Sequence, residues 1–480
     1  MRVYTKRLLA HFQLEICGRK KQTGEYRTRW SDREGCQLKA DEFVESGIQC
    51  YGGVDVMKLT LEKVRVDDLV LGDHIMIQGT TLSVNKDEII EKIKEDERIA
   101  RASIHIAKPG ESVRLYSVRD VIEPRVKMDG KGEMFPGLTG SVNQVGEGVT
   151  KVFKGATVIT IGKTSGIKEG MIDMSRPGAK YTPFSQTNNL VLDCEPVSGL
   201  KNQQYQEALR QAGLKVAQYI GKKCQVAAAQ EQVIYEMLPI ERQKQKYPEL
   251  PKVGYVYMLQ SQGLLHDTYV YGVDAKVILP TCIYPTEVMD GAIVSGNSVS
   301  ACDKNTTYHH LNNPIIEELF ECHGKEINFC GVIITNENVT LEAKERSSDY
   351  TAKLAEQFGF NGVIISKEEY GNTDTDLLMN CKKIEDRGIK TVLLTDEYAG
   401  RDGSSQSLAD ADPKADAVVS TGNANQTIRL PPMDKAIGKI DSPDLAAGGP
   451  KHDDSIEVEL QAIVGATNEL GFNKMSATVF

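Results

Sequence analysis

Beyond residue 326 the apolar positions of this chain fall into short runs separated by stretches of helical spacing. Residues 327–335, 362–366, 391–395 and 417–420 each form a compact apolar run, which predicts buried strands. Residues 349–358 and 375–387 carry helical periodicity, and Gly388 is a helix stop. Strand and helix alternating at this spacing predict a parallel sheet with crossover helices. Ligands in such sheets sit beyond the carboxyl ends of the strands. Those ends carry Thr335, Asn336, Glu337 and Asn338, then Ser366, Lys367 and Glu368, then Thr395, Asp396, Glu397 and Tyr398, then Thr421, Gly422 and Asn423. They form polar loops suited to a site, although ordinary solvated loops have the same composition.

The earlier part has a different pattern. From residue 57 to about 200, short alternations such as Leu59/Leu61 and Val64/Val66 predict strands and turns, with a β-rich run at 152–161. A charged helix is predicted over 88–101 and an amphipathic helix over 203–221, with Ala208, Leu209, Ala212, Val216 and Ile220 near one face. Residues 238–251, polar and rich in Lys, Glu and Pro, read as a linker or surface loop. Residues 1–56 hold the only tryptophan, Trp30, show no clean period, and read as an upstream extension. The expected class is α/β: a β-rich part over 57–250, then a parallel-sheet α/β domain over 251–480.

Composition narrows the function classes. The chain has 480 residues, a net charge of −10 and 40% hydrophobic residues, as expected for a soluble protein of more than one domain. No basic stripe with interleaved aromatics suggests nucleic acid. No apolar run is long enough to span a membrane or serve as a signal peptide, so a cytoplasmic location is expected. The ten cysteines are scattered without a Cys-x-x-Cys pair, and His309 and His310 are the only adjacent histidines, so no metal site is expected. Gly162-Lys163-Thr164 invites a phosphate-loop reading, but Thr157 stands where that loop needs a glycine.

Candidate chemistry concentrates between residues 285 and 305. The apolar run 292–294 stops at Ser295-Gly296-Asn297, and Ser298 follows. Gly296 and Asn297 tolerate a strained turn. Ser298 Oγ could attack the Asn297 carbonyl and shift the acyl group from nitrogen to oxygen. β-Elimination and hydrolysis would then leave a pyruvoyl group at a new N-terminus, a ketone made from the chain itself. Taken alone, Gly-Asn-Ser is a common turn. Cys302 is a second candidate, against its reading as a small buried thiol. Glu287 and Asp290 are candidates for proton transfer, against their reading as solvated turn residues.

Several longer stretches carry a resemblance. Tyr255-Val-Tyr-Met-Leu-Gln260, the run 263–276 and Tyr284-Pro-Thr-Glu-Val-Met-Asp-Gly-Ala-Ile-Val-Ser-Gly-Asn297 resemble component B of the glycine, sarcosine and betaine reductases, in the form of the proprotein of its alpha and beta subunits. The likeness extends from Met57 to the C-terminus through the stretches 120–127, 178–185, 396–403 and 465–471. It implies self-cleavage between Asn297 and Ser298, giving an alpha chain to 297 and a beta chain of 298–480 that begins with the pyruvoyl group. It implies a Schiff base with the amine of glycine, sarcosine or betaine, although betaine has no N–H with which to form a neutral one. It also implies a selenocysteine-containing component B subunit as partner, a small selenoprotein component A, and a component that releases acetyl phosphate. The family pattern has cysteine at the cleavage point, where this chain has Ser298. An unprocessed, non-catalytic scaffold subunit of the same complex is therefore the alternative. A nucleotide-binding α/β protein is a third, weaker reading, because no Gly-x-Gly-x-x-Gly is present.

Overall fold

The computed structural model describes residues 56–129, 133–162, 170–262, 268–295, 301–404, 410–438, 455–473 and 476–479. The chain is mixed α/β and strand-rich. Among the described residues no helix is long and apolar enough to cross a membrane.

The first part is built from β1 (Met57–Arg65), β2 (Val113–Ile122), β3 (Gly148–Lys154), β4 (Ala156–Ile161) and the helix α1 (Asn202–Lys223), with shorter strands between them. β1 pairs in parallel with β3 and antiparallel with Glu231–Met237. β2 pairs antiparallel with β4, which runs parallel to Asn188–Pro196. The apolar run 152–161 therefore forms two strands in two sheets. Gly155 breaks it at φ +94°, where a Cβ would run into the Val66 carbonyl. The helix expected over 88–101 ends at Lys94, and Ile99 opens a strand against Asn188–Pro196. Only Ile89 and Ile93 supply its buried face, and Arg98 turns back onto Asp96 at 2.7 Å. Part of the expected linker, Ile240–Lys246, is a short helix.

The second part is organised by a seven-stranded sheet. Its elements are β5 (Lys252–Leu259), β6 (Thr281–Ile283), β7 (Asn328–Asn336), α2 (Leu341–Gln357), β8 (Gly362–Ser366), α3 (Asn372–Glu385), β9 (Lys390–Glu397), β10 (Ala417–Asn423), β11 (Lys435–Ile437) and β12 (Ser476–Val479). The sheet order is β6-β7-β5-β8-β9-β10-β12, parallel except at the two edges. β11 leaves this sheet and pairs with β2.

Successive side chains on β5 face opposite sides, as strand geometry requires. Val256 and Met258 pack with Ala352, Leu377, Cys381 and Ile384 of α2 and α3. Tyr255, Tyr257 and Leu259 pack on the other face with Ile316 and Leu319, and with Leu59, Leu61 and Val152 of the first part. Both faces are covered, which is why the strands read as unbroken apolar runs. α2 begins eight residues before its expected start. Thr340 caps it by accepting Ala343 N–H at 3.3 Å, and its first turns are charged, so the apolar pattern there was weak.

β5 lies between β7 and β8, so a strand from before position 297 sits at the centre of strands from after it.

Candidate functional site

Asn297 and Ser298 lie outside the described residues, and the structure describes the two flanks of their segment. The incoming flank is the short strand Ile293–Ser295. The outgoing flank runs from Ala301 into the helix Thr307–Leu311. Thr307 joins the two. Its Oγ1 accepts Ser295 N–H at 3.1 Å and donates to Asp120 Oδ2 at 2.6 Å, while its own N–H donates to Asp120 Oδ1 at 2.8 Å.

Residues 461–469 clamp the outgoing flank. Ala301 N–H donates to Gln461 O at 3.2 Å, Gly465 N–H to Ala301 O at 2.8 Å, and Thr467 N–H to Cys302 O at 3.1 Å. Thr467 Oγ1 donates to Asp303 Oδ1 at 2.5 Å, and Asn468 Nδ2 to Asn305 Oδ1 at 2.6 Å. Gly465, at φ +74°, lies so close to His309 that a Cβ would sit 3.0 Å from its ring. Four stretches singled out in the sequence thus meet here: 120–127 through Asp120, 178–185 through Phe184, its ring tilted against His309 at 5.1 Å, 396–403 through Asp396, and 465–471.

The carboxyl ends of β7, β8 and β9 face this flank. Much of them is buried: Thr335, Glu337, Lys367, Glu368 and Asp396 are at most 1% exposed, while Asn338 and Glu397 are half-buried and Tyr398 is exposed. Lys367 Nζ lies 2.9 Å from Asp374 Oδ1, 3.2 Å from Asp396 Oδ1 and 3.2 Å from Glu469 Oε1. Glu337 Oε1 accepts Glu368 N–H at 2.8 Å, and Glu368 Oε1 accepts Asn305 N–H at 2.7 Å. Burial opposes the Lys367 charge, but Glu469, Asp396 and Asp374 outweigh it and hold the ammonium well above its ordinary pKa. Burial raises Asp396, Glu469 and Glu337 well above the carboxylate range, aided by neighbouring acids. Asp303 is pushed up to about 6 by burial and the Glu369 charge, and Asp120 to about 6 by burial against the pull of Lys304. The site therefore combines a buried ammonium with Asp120 and Asp303, which at about 6 are placed to give and take protons beside the flank.

His309 and His310 sit on the helix that the flank enters, and His310 Nδ1 lies 2.7 Å from Tyr257 Oη. Burial, with the His310 charge for His309 and the Lys304 charge for His310, lowers both to about 3. Such an imidazole stays neutral in the fold but protonates when the chain unfolds. It costs nothing above pH 6.5 and destabilises progressively as pH falls from 6.5 towards 3. For His310 this amounts to about 2 kcal/mol between pH 7 and pH 5. Urea midpoints at the two pH values are therefore expected to drop less for His310→Gln than for the wild type by that amount. Equal drops would remove the buried-imidazole account.

The other candidates fall in different places. Cys302 is fully buried on the outgoing flank, its Sγ 2.9 Å from Asp303 Oδ1. Glu287 and Asp290 are 6% and 0% exposed, which overturns their reading as solvated turn residues. Glu287 accepts Tyr284 N–H at 2.6 Å and Tyr271 Oη at 2.5 Å. Asp290 accepts from Lys127 Nζ at 2.7 Å, Gly146 N–H at 2.8 Å and Thr150 Oγ1 at 2.6 Å. None of these partners belongs to the group around Lys367. Among the described residues no set of three or more His, Cys, Asp or Glu side chains is placed to hold a metal ion. Sequence reasoning assigned no role to Asp120, Asp303, Lys367 or Glu469. Their signal was present, because each lies in or beside a stretch already singled out, but pairing them required the fold.

Comparisons with known proteins identify the family. The family model for glycine/sarcosine/betaine reductase component B subunits matches residues 57–478. The glycine reductase complex component B subunits alpha and beta of Acetoanaerobium sticklandii is 59% identical over 430 residues, covering 88% of this chain and 100% of that protein. The sarcosine reductase complex component B subunit alpha of Peptoclostridium acidaminophilum is 53% identical over 428 residues, covering 88% of this chain and 100% of that protein. A more distant relative, the D-proline reductase proprotein PrdA of Acetoanaerobium sticklandii, is 20% identical over 358 residues, 69% of this chain and 54% of that protein. No solved structure matches. The chain belongs to the glycine/sarcosine/betaine reductase component B subunits, a family of oxidoreductase components.

Proposed function

We propose that this chain is the precursor of a substrate-binding component B subunit pair, and that it cuts itself between Asn297 and Ser298. The observation that carries this reading is the outgoing flank: the residues that would follow a new N-terminus at 298 are clamped against a buried, proton-holding site at the carboxyl ends of a parallel sheet. Ligands of such sheets collect there. In support, one relative's single chain bears the names of two subunits, and another is named a proprotein.

Ser298 Oγ attacks the Asn297 carbonyl, and the ester eliminates to leave a carboxylate on Asn297. Hydrolysis of the remaining enamine releases ammonia and leaves the pyruvoyl ketone at position 298. That ketone supplies an electrophile for the amine of glycine or a close analogue. The chain's own residues position the reaction: Asp120 and Thr307 hold the two flanks together, and Asp120 and Asp303 exchange protons. The selenolate of a selenocysteine-bearing subunit would then attack the α-carbon of the resulting imine and break its C–N bond, and hydrolysis would free the nitrogen from the ketone as ammonia. The carboxymethyl group would pass to a small selenoprotein, and a further component would release it with inorganic phosphate as acetyl phosphate, thioredoxin-type dithiols supplying the two electrons.

Borohydride reduction in the presence of labelled glycine tests this reading. The label is expected as a stable secondary amine at position 298 of the smaller chain, with hydroxylamine blocking it. Label spread over lysines, or an unlabelled and uncut chain, would leave the protein as a scaffold.

A further inference from the structure

We propose that the buried acids around Lys367, together with the side-chain amide of Asn305, form a receptor for a small zwitterionic amino acid, in which Asp396 and Glu469 select a substrate nitrogen that carries hydrogens. This rests on the reading that the site takes an amine.

Lys367 engages one oxygen of Asp396, Oδ1 at 3.2 Å, and one of Glu469, Oε1 at 3.2 Å. The second oxygens, Asp396 Oδ2 and Glu469 Oε2, are buried and meet no hydrogen-bond partner, as are Glu337 Oε2 and Asp303 Oδ2. Buried polar atoms rarely stay unpaired, and four orphan carboxyl oxygens in one cluster call for a partner brought from outside; an arriving ammonium displaces the protons that buried acids hold and makes acceptors of them.

A donor of the chain is orphaned at the same place. Asn468 Oδ1 accepts Leu470 N–H at 3.1 Å, which turns its Nδ2 towards Lys304 O at 3.3 Å and Asn305 Oδ1 at 2.6 Å. Asn305 must therefore present its oxygen to Asn468. Its Nδ2 is left fully buried without a partner. The backbone of the same residue touches the cluster, because Asn305 N–H donates to Glu368 Oε1 at 2.7 Å.

This mixture identifies the class of ligand. A bare cation would satisfy the acids and leave the Asn305 amide facing positive charge. A molecule with an ammonium at one end and a carboxylate at the other satisfies both. The backbone supports a functional role: Glu369, two residues after Lys367, holds φ +73°, a left-handed conformation costly for a residue with a Cβ.

A trimethylated nitrogen has no hydrogen to give Asp396 Oδ2 or Glu469 Oε2, and would strip them of water without replacement. The site should thus discriminate by counting N–H groups. Calorimetric titration of the full-length protein with glycine, N-methylglycine, N,N-dimethylglycine and betaine is expected to show little change from glycine to N-methylglycine, which keeps two N–H groups for the two acceptors, and a fall of about tenfold for each N–H group lost after that. Asp396→Asn and Glu469→Gln should each weaken glycine about tenfold and betaine less than about threefold, a pattern that crowding by methyl groups would not produce. Asn305→Ala should weaken all four ligands alike, since all carry the carboxylate. Betaine binding as tightly as glycine in the wild type would overturn the proposal without any variant. So would Mn²⁺ binding in place of glycine. A denaturing gel of the same preparation separates this proposal from the previous one. An uncut chain with an ordered methyl series refutes the ketone and supports the receptor, whereas a cut chain indifferent to methylation does the reverse.

Discussion

Ser298→Ala is expected to run as one chain of 480 residues on a denaturing gel, while the wild type yields pieces of 297 and 183 residues. The alanine has no nucleophile to start the acyl shift, so the effect is all or none. Ser298→Cys should cut at least as fast as the wild type, because part of a thiol ionises near neutral pH and is the better nucleophile for the acyl shift, and the thiocarboxylate then expelled is a leaving group comparable to the carboxylate of the serine route. The smaller wild-type piece should resist chemical N-terminal sequencing until its carbonyl is converted to an amine. The two pieces should also co-elute under native conditions, because β5 of the first is hydrogen-bonded on both sides to β7 and β8 of the second, and β11 of the second to β2 of the first. Equal cutting in wild type and Ser298→Ala would eliminate the mechanism. Cutting before Cys302 instead would move the nucleophile and keep the class of reaction.

Lys367→Met should be the most destabilising single change at the site. The side chain is fully buried among Asp374, Asp396 and Glu469, and removing it leaves acids without a counter-charge. Breaking a buried ion pair from one side costs about 3–5 kcal/mol. The remaining acids must then take up protons to stay buried, so the deficit should be larger at pH 8 than at pH 6. Urea denaturation at the two pH values measures both effects. Adding Asp396→Asn and Glu469→Gln to Lys367→Met should recover part of the loss, since fewer acids then need neutralising. A Lys367→Met protein as stable as the wild type, or a deficit that shrinks as pH rises, would refute this account of the cluster.

How much was visible in the sequence depended on the range of the interactions. The strand runs 362–366 and 391–395 and the helix over 203–221 were legible because their periodicity is local and both faces of the sheet are covered. Boundaries failed where the local signal was weak or mixed. α2 begins with charged turns, the run 152–161 hides a glycine break, and the helix near residue 90 gives way to a strand that exists only through pairing with Asn188–Pro196.

The sequence by itself determined the family, through long stretches of likeness, and supplied the Gly-Asn-Ser turn on which the proposed cut rests. It also marked polar strand ends where a site should lie. Only the tertiary structure decided what those ends do. Asp120 and Thr307 are 187 residues apart, and Asp303 and Thr467 are 164 apart, so no local pattern could pair them. Whether a carboxylate is solvated or buried beside an ammonium depends on which strands lie next to each other. That ordering moved Glu287 and Asp290 out of the solvent and away from the charged cluster, and brought Lys367, Asp396 and Glu469 into it. The physical reason is that burial and charge pairing belong to neighbours in space, whereas periodicity reports only neighbours along the chain.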